Sequence, residues 1–236
     1  MKINDSLYWY PLRKPLHHFL GRGPSCNVFV IDQGSELWLM DVGVSALGRF
    51  KRILKYMNKD GLDPSLIRKI FITHAHPDHM NAVPDCIKQF RPEIYVHESD
   101  GPMLSGGDEY FWAREREAAG DLVSEFFSFP QWLLILLSHY SMGTMPKIPH
   151  FVSLKHDEMV NGPKYSVQLI HTPGHTKGHA SYYVPELKAL FCGDLMDPFF
   201  DYKPPINLAT SDYDAFCRSI SILVDLEVEI DRKSVV

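Results

Sequence analysis

Three histidines and an aspartate fall within the six residues from His74 to His79, in the segment THAHPDH. Imidazole nitrogens and carboxylate oxygens suit Zn²⁺, and also iron or manganese, better than they suit Mg²⁺ or Ca²⁺. Side chains two residues apart in extended backbone point the same way, so His74 and His76 can reach one ion. Pro77 turns the chain, and Asp78 and His79 then face the same space from the next helix. The segment predicts a metal cradle that serves one ion and a neighbouring ion.

Two later turns supply candidate ligands from distant parts of the chain. TPGHTKGH carries His175 after a predicted strand, and FCGDLMD carries Asp194 after another. Asp41 stands at a third strand end, in LWLMDVG. A glycine close to each of these residues lets the backbone approach an ion closely. We therefore expect these side chains to meet the histidine cluster.

Strands separated by single helices are predicted to position these groups. The predicted strands are CNVFVID, ELWLMDVG, IRKIFIT, EIYVHES, FVSLKHDEMV, YSVQLIHT, HASYYVP and KALFCGDLM. The predicted helical faces are Leu47, Phe50, Leu54 and Met57; Met80, Val83, Ile87 and Phe90; and, after a cap at Asp212, Tyr213, Phe216, Ile220 and Leu223. This alternation indicates a layered α/β domain.

The segment 100–150 has a different pattern, rich in glycine, aromatic and apolar residues, with helical character around 108–140. We interpret it as an insertion within a single domain that spans residues 1–236. Its apolar stretch Phe126–Leu137 has three readings: a lid over an apolar pocket, a membrane-surface contact, or ordinary core packing.

Composition narrows the class of protein. Lys and Arg number 24 and Asp and Glu 29, giving a net charge of −5, which disfavours a nucleic-acid-binding role. The four cysteines are scattered, which favours a reducing compartment. The longest apolar run, WLLILL, is far shorter than the ~20 residues that span a bilayer. We expect a cytoplasmic protein without a membrane span, and its oligomeric state stays open.

The order Asp41, HxHxDH at 74–79, His175 and Asp194 resembles the metallo-β-lactamase fold superfamily of hydrolases, over residues 20 to 225 without the insertion 100–150. The resemblance implies a four-layer αβ/βα sandwich with the metal centre at one edge of its two sheets. It also implies that His74, His76 and His175 bind the first ion. Asp41 would then support the histidine loop, as metal-bound histidines require.

The same resemblance implies that Asp78 and His79 bind a second ion, with Asp194 bridging the two. The family normally adds a final histidine, and this chain has none after His179. A truncated chain, a site for one ion, or a replacement ligand such as Asp197 would each account for this. Truncation or a weakened second site is favoured over replacement.

The roles of the remaining candidates follow from the family chemistry. Asp78 is the candidate catalytic residue, which would orient the nucleophile and carry a proton towards the leaving group. His179 is a candidate for substrate contact or for support of a ligand. An ordinary structural role for this histidine is an equally good interpretation.

The expected reaction is attack of a metal-bound hydroxide on an ester, lactone or thioester carbonyl, with one or two zinc ions as cofactor. GHTKGH is similar to the lactonase and glyoxalase II-like branch, and the aromatic insertion suggests a small-molecule substrate with an apolar acyl part. Two alternatives stay open. One is a phosphodiesterase acting on a small nucleotide or lipid head group, for which Arg114 and Arg116 are the nearby basic pair. The other is a degenerate metal-binding sensor without turnover.

Overall fold

A computed structural model describes residues 1–13, 24–45, 48–119, 144–195 and 211–229 of the chain. Within these ranges the chain forms ten strands and five α-helices. The strands are β1 (Leu7–Arg13), β2 (Pro24–Asp32), β3 (Leu37–Met40), β4 (Ile67–Phe71), β5 (Glu93–His97), β6 (Val152–Leu154), β7 (Met159–Asn161), β8 (Ser166–His171), β9 (Ala180–Val184) and β10 (Ala189–Phe191). The helices are α1 (Arg49–Lys59), α2 (Pro77–Met80), α3 (Val83–Phe90), α4 (Gly101–Ala119) and α5 (Tyr213–Val224).

The strands form two sheets. The first has six strands in the order β1-β2-β3-β4-β5-β6, and the second has four in the order β10-β9-β8-β7. Strands β3 to β6 run parallel, while β1, β2 and β3 pair antiparallel, as do all pairs of the second sheet. Parallel neighbours need a crossover connection, and α1, α2 with α3, and α4 lie between successive parallel strands.

Three hydrophobic clusters separate four layers. Because side chains alternate along a strand, Val28 and Val30 of β2 pack with the helices, while Phe29 and Ile31 pack against the second sheet. A third cluster lies between β10 and α5 and includes Phe216. The architecture is therefore helices, sheet, sheet, helix, which confirms the predicted four-layer αβ/βα sandwich.

Several local predictions need correction. The first strand, β1, was not predicted, and FVSLKHDEMV splits into β6 and β7, which belong to different sheets. The buried face of α1 uses Ile53 with Phe50 and Met57, whereas Leu54 is only partly buried. In α3 Val83 is buried as predicted, together with Cys86, whereas Ile87 is 36% exposed, because the helical stretch breaks after α2 and the face shifts.

The last helix agrees with the predicted cap. The carboxylate of Asp212 accepts a hydrogen bond from the backbone N–H of Ala215 at 2.9 Å, which satisfies one of the free donors of the first turn. Tyr213 was assigned to the buried face, but it is 59% exposed. It occupies the first position of the helix, where the chain has not yet turned onto the sheet.

The segment that follows β5 enters the main core. Helix α4 begins at Gly101, earlier than predicted, and is kinked at Gly107, whose φ is +66°. Leu104 and Phe111 of this helix, with Ile148 beyond it, belong to the same hydrophobic cluster as the first sheet. The predicted lid stretch Phe126–Leu137 lies outside the described residues. No helix in the described part of the chain is long and apolar enough to cross a membrane.

A buried tyrosine joins the two sheets just before the histidine cluster. The Tyr182 hydroxyl donates a hydrogen bond to the carbonyl oxygen of Ile72 at 2.9 Å, and the side chain is fully buried. Tyr182→Phe keeps the ring but leaves that carbonyl without this donor, so the free energy of unfolding should fall by about 1–3 kcal/mol. Urea denaturation measures the change. Tyr213→Phe, at an exposed site, should stay within about 0.5 kcal/mol of the wild type, and equal losses in both variants would contradict the assignment.

Candidate metal centre

The candidate ligands follow the carboxyl ends of strands from both sheets. Asp41 comes directly after β3, the histidine cluster after β4, His175 after β8 and Asp194 after β10. Because these strand ends share one edge of the sandwich, residues far apart in sequence come into contact there. The sequence predicted this convergence.

Three imidazole nitrogens form the first group. His76 Nδ1 lies 2.9 Å from His74 Nε2 and 3.0 Å from His175 Nε2. All three side chains are buried, and their nitrogens are close enough to hold one ion. Two of the histidines come from a single loop because their spacing of two residues places both side chains on one side of extended backbone.

Asp194 lies between this group and His79. Its Oδ1 is 3.1 Å from His79 Nε2, and its Oδ2 is 3.5 Å from His175 Nε2. His74, His79 and Asp194 form a second set of atoms that could hold an ion. Asp78 is buried in the first turn of α2, directly before His79. The two sets adjoin and share His74, and the Asp194 carboxylate approaches one further histidine of each set.

The protonation of His74, His76 and Asp194 suits a cation. Burial, reinforced by neighbouring histidines, lowers the pKa of His74 and His76 well below the usual value, so both imidazoles are neutral at pH 7. Burial alone would raise the pKa of Asp194, but His79, His175 and His76 hold it below its usual value. Neutral imidazole and ionised carboxylate are the forms that ligate metals.

Unsatisfied buried atoms also fit a cation here. Among the described residues, His79 Nε2 and Asp194 Oδ1 have no hydrogen-bond partner, although they face each other at 3.1 Å. Buried polar atoms without partners are rare in folded proteins and require an explanation. An ion held by these atoms would satisfy both, so the donor set fits a metal.

Asp41 and Thr73 set the orientation of two histidines. The Asp41 carboxylate contacts His79 Nδ1 at 2.8 Å and accepts hydrogen bonds from Thr73 N at 2.9 Å and Thr73 Oγ1 at 2.8 Å. The Thr73 oxygen in turn lies 3.0 Å from His74 Nδ1. Since the hydroxyl proton goes to Asp41, the oxygen accepts from His74 Nδ1–H, which leaves His74 Nε2 free for an ion.

Thr73 was missed by the sequence analysis, although it directly precedes His74. Thr73→Val removes the hydroxyl but keeps the branched shape, so affinity for Zn²⁺ should fall about 10–100-fold. Thr73→Ser retains the hydroxyl and serves as the matched control, which should bind close to wild type. Competition with a chromophoric chelator measures both. Equal affinity of the valine and serine variants would show that the hydroxyl plays no part.

His179 is fully buried beside the centre. Its Nδ1 lies 3.0 Å from the carbonyl oxygen of Thr172, and its ring centre is 5.2 Å from that of His74. Its complete burial favours support of the site over contact with substrate. Asp197, the candidate replacement ligand, lies outside the described residues.

A buried cysteine also borders the site. Cys26 Sγ is 3.9 Å from His79 Nδ1, and these two residues with Asp41 could hold an ion. Burial raises the pKa of Cys26 to about 12, which keeps it a thiol, and Asp41 already contacts His79 Nδ1. We assign no ion to this group.

The chain matches a known protein family and individual proteins of related sequence. Residues 21–230 match the family model described as "Metallo-beta-lactamase superfamily". The chain is 25% identical over 176 residues to "Probable metallo-hydrolase YflN" of Bacillus subtilis, an alignment that covers 71% of this chain and 60% of that protein. It is 23% identical over 231 residues to "Acyl-coenzyme A thioesterase MBLAC2" of Gallus gallus, covering 94% of this chain and 74% of that protein.

Solved structures show the same fold. The crystal structure of a metallo-beta-lactamase family protein from Thermus thermophilus superposes with a TM-score of 0.69 at 21% identity, covering 96% of this chain and 72% of that one.

Proposed function

The chain belongs to the metallo-beta-lactamase superfamily, and on that premise we propose that it is a metallo-hydrolase that acts on an acyl thioester, ester or lactone. The observation that carries this proposal is the convergence of His74 Nε2, His76 Nδ1 and His175 Nε2, with the carboxylate of Asp194 beside them. The lactonase and glyoxalase II-like branch remains part of the proposal and rests on the segment GHTKGH.

The proposed cofactor is zinc, with iron or manganese as the other ions that this donor set suits. A bound divalent ion supplies Lewis acidity, which polarises a carbonyl group and lowers the pKa of water to about 7. His74, His76 and His175 would hold the first ion. Asp78, His79 and Asp194 would hold a second, and we propose that this second ion is bound less tightly, since its set contains one imidazole and the first set contains three.

The chain's own residues have separate tasks in this proposal. The Asp78 carboxylate orients the attacking water and carries a proton towards the leaving group. Asp194 supplies negative charge between the two sets of histidines, 3.1 Å from His79 and 3.5 Å from His175. Asp41 keeps His79 in one orientation, and Thr73 does the same for His74.

Phe111 borders His76 on the side of α4, but it is only 1% exposed and belongs to the main core, so the proposal of an apolar acyl part rests on the Gallus gallus relative. The ring centre of Phe111 is 5.8 Å from that of His76 in an edge-on contact, and Trp112 packs 5.1 Å from Phe111. Both aromatic residues belong to α4. The Gallus gallus relative is named as an acyl-coenzyme A thioesterase, which makes an acyl thioester the first substrate to test.

A phosphodiesterase is less well supported. A phosphate-binding mouth requires basic side chains, and Arg114 instead forms an ion pair with Glu117 on the same helix, at 2.7 Å. This pair is typical of a solvated helix face. The predicted cytoplasmic location has no structural test and remains part of the proposal.

A substrate panel tests the proposed function. Short- and medium-chain acyl thioesters, acyl lactones and bis-p-nitrophenyl phosphate are assayed with Zn²⁺, Mn²⁺ or Fe²⁺ added to metal-stripped protein. We expect acyl substrates to be turned over, with rates that rise with acyl length and require the metal. Turnover of the phosphodiester alone would reject the proposal. Full metal loading without turnover of any acyl substrate would instead favour a sensor.

A further inference from the structure

We propose that Asp100 is a positioning residue. It holds the two histidine-bearing loops in the relative position in which His74, His76 and His175 can share one ion. This role rests on the metal centre of the proposed function. Asp100 ends the short 3₁₀ turn Glu98–Asp100 after β5 and directly precedes α4. Asp100 is not part of the HxHxDH pattern, and no motif in the sequence indicates its role.

The Asp100 carboxylate contacts both loops that carry candidate histidine ligands, at residues close to those histidines. Its Oδ2 accepts a hydrogen bond at 2.7 Å from the backbone N–H of Ala75, which lies between His74 and His76. The same oxygen accepts a hydrogen bond at 3.4 Å from Thr176 Oγ1, next to His175. The backbone N–H of Gly178 is a further donor to the carboxylate. One side chain therefore joins two loops that are about a hundred residues apart in sequence.

The approach of the His175 loop to Asp100 requires a glycine. A Cβ atom at Gly178 would lie 2.3 Å from Asp100 Oδ1 and 2.5 Å from the Asp100 backbone nitrogen, both far inside contact distance. The backbone of the loop thus rests directly on the carboxylate. This explains a glycine that the ligand pattern alone does not require.

The chemistry of the contacts calls for a carboxylate rather than an amide. All three neighbours are donors, two backbone N–H groups and one hydroxyl. An ionised carboxylate accepts on both oxygens, whereas the NH₂ of an asparagine would point a donor at a donor on one side. With Asp100 only 1% exposed, water cannot replace a lost partner there. An amide would therefore release one loop and spread the three histidines apart.

Two variants test this role through metal binding itself. Zn²⁺ affinity is measured by chelator competition, and Co²⁺ coordination by its visible absorption spectrum. Asp100→Asn should weaken binding about 10–100-fold and alter the Co²⁺ band, because partners of metal ligands typically have effects of that size. Gly178→Ala, which disturbs the same contact from the other side, should do the same. The double variant should lose little more than either single one, since both act on one interaction.

A stability-matched control separates positioning from loss of fold. Met57→Ala opens the core between α1 and the first sheet and should lower the melting temperature while leaving Zn²⁺ affinity unchanged. If Asp100→Asn does not fold, Thr176→Val removes only the 3.4 Å contact and should give a several-fold loss of affinity.

The outcomes distinguish the two proposals. Wild-type Zn²⁺ affinity in folded Asp100→Asn, or an equal loss in Met57→Ala at the same melting temperature, would overturn the role of Asp100. Failure of the wild-type chain to bind any ion would overturn the metal centre and the proposed function with it.

Discussion

Replacement of His76 by alanine should lower the rate of acyl-substrate hydrolysis by at least about 10²–10³-fold and remove the tightly bound ion. The physical reason is the position of its Nδ1 atom, which lies 2.9 Å from His74 Nε2 and 3.0 Å from His175 Nε2. Without His76 the remaining two nitrogens cannot complete a tetrahedral site. Steady-state kinetics and metal analysis by mass spectrometry measure the two effects together.

His150→Ala is the matched control for this variant. His150 is exposed in the loop before β6 and belongs to none of the candidate ligand groups. It should retain wild-type kcat/KM and metal content. If His76→Ala keeps more than a tenth of the activity with its metal intact, the proposed first site is wrong.

Asp194→Asn should give the second large effect, a loss of about 10²-fold or more in kcat with depletion of the more weakly bound ion. Its two oxygens lie 3.1 Å from His79 Nε2 and 3.5 Å from His175 Nε2, so one carboxylate serves both sets of ligands. The amide keeps the shape but removes the negative charge that offsets two cations. The His74, His76 and His175 nitrogens remain in place, so one ion should still bind.

Metal titration followed by calorimetry resolves these two ions, and activity is measured at each stoichiometry. Asp63→Asn, which changes an exposed capping carboxylate far from the strand ends that carry the ligands, is the control and should behave as wild type. Two tightly held ions in Asp194→Asn would contradict the bridging role.

The sequence was sufficient to predict the layers and the convergence of the candidate ligands, because both depend on local patterns. Alternation along β2 separates Val28 and Val30 from Phe29 and Ile31, and that period of two is readable in any single sequence. The candidate ligands also give a local signal, since three histidines and an aspartate within six residues form a dense cluster. Their meeting point follows once the strands are known to share one edge.

The missed features depend on contacts that a sequence does not display. Among the described strands, β1 pairs with β2 alone, and its apolar residues do not alternate cleanly around Pro11. The break after α2 rotates the face of α3, so Ile87 turns outward and Cys86 inward. No periodicity signals such a rotation.

The residues that support the ligands were the least predictable. Thr73 and Asp100 are common polar residue types in positions without a motif. Their importance lies in burial and in hydrogen bonds across the fold, from Thr73 to Asp41 and from Ala75 to Asp100. Asp41 was singled out by its place at a strand end, and its role of supporting the histidine loop came from the family resemblance.

X-ray diffraction with data collected on either side of the zinc absorption edge, from crystals of protein purified without chelators, tests the central claim most directly. We predict an anomalous peak about 2.0–2.1 Å from His74 Nε2, His76 Nδ1 and His175 Nε2, with a weaker second peak beside His79 Nε2 and Asp194. An anomalous map with no peak among the three histidines after soaking with zinc would contradict the account.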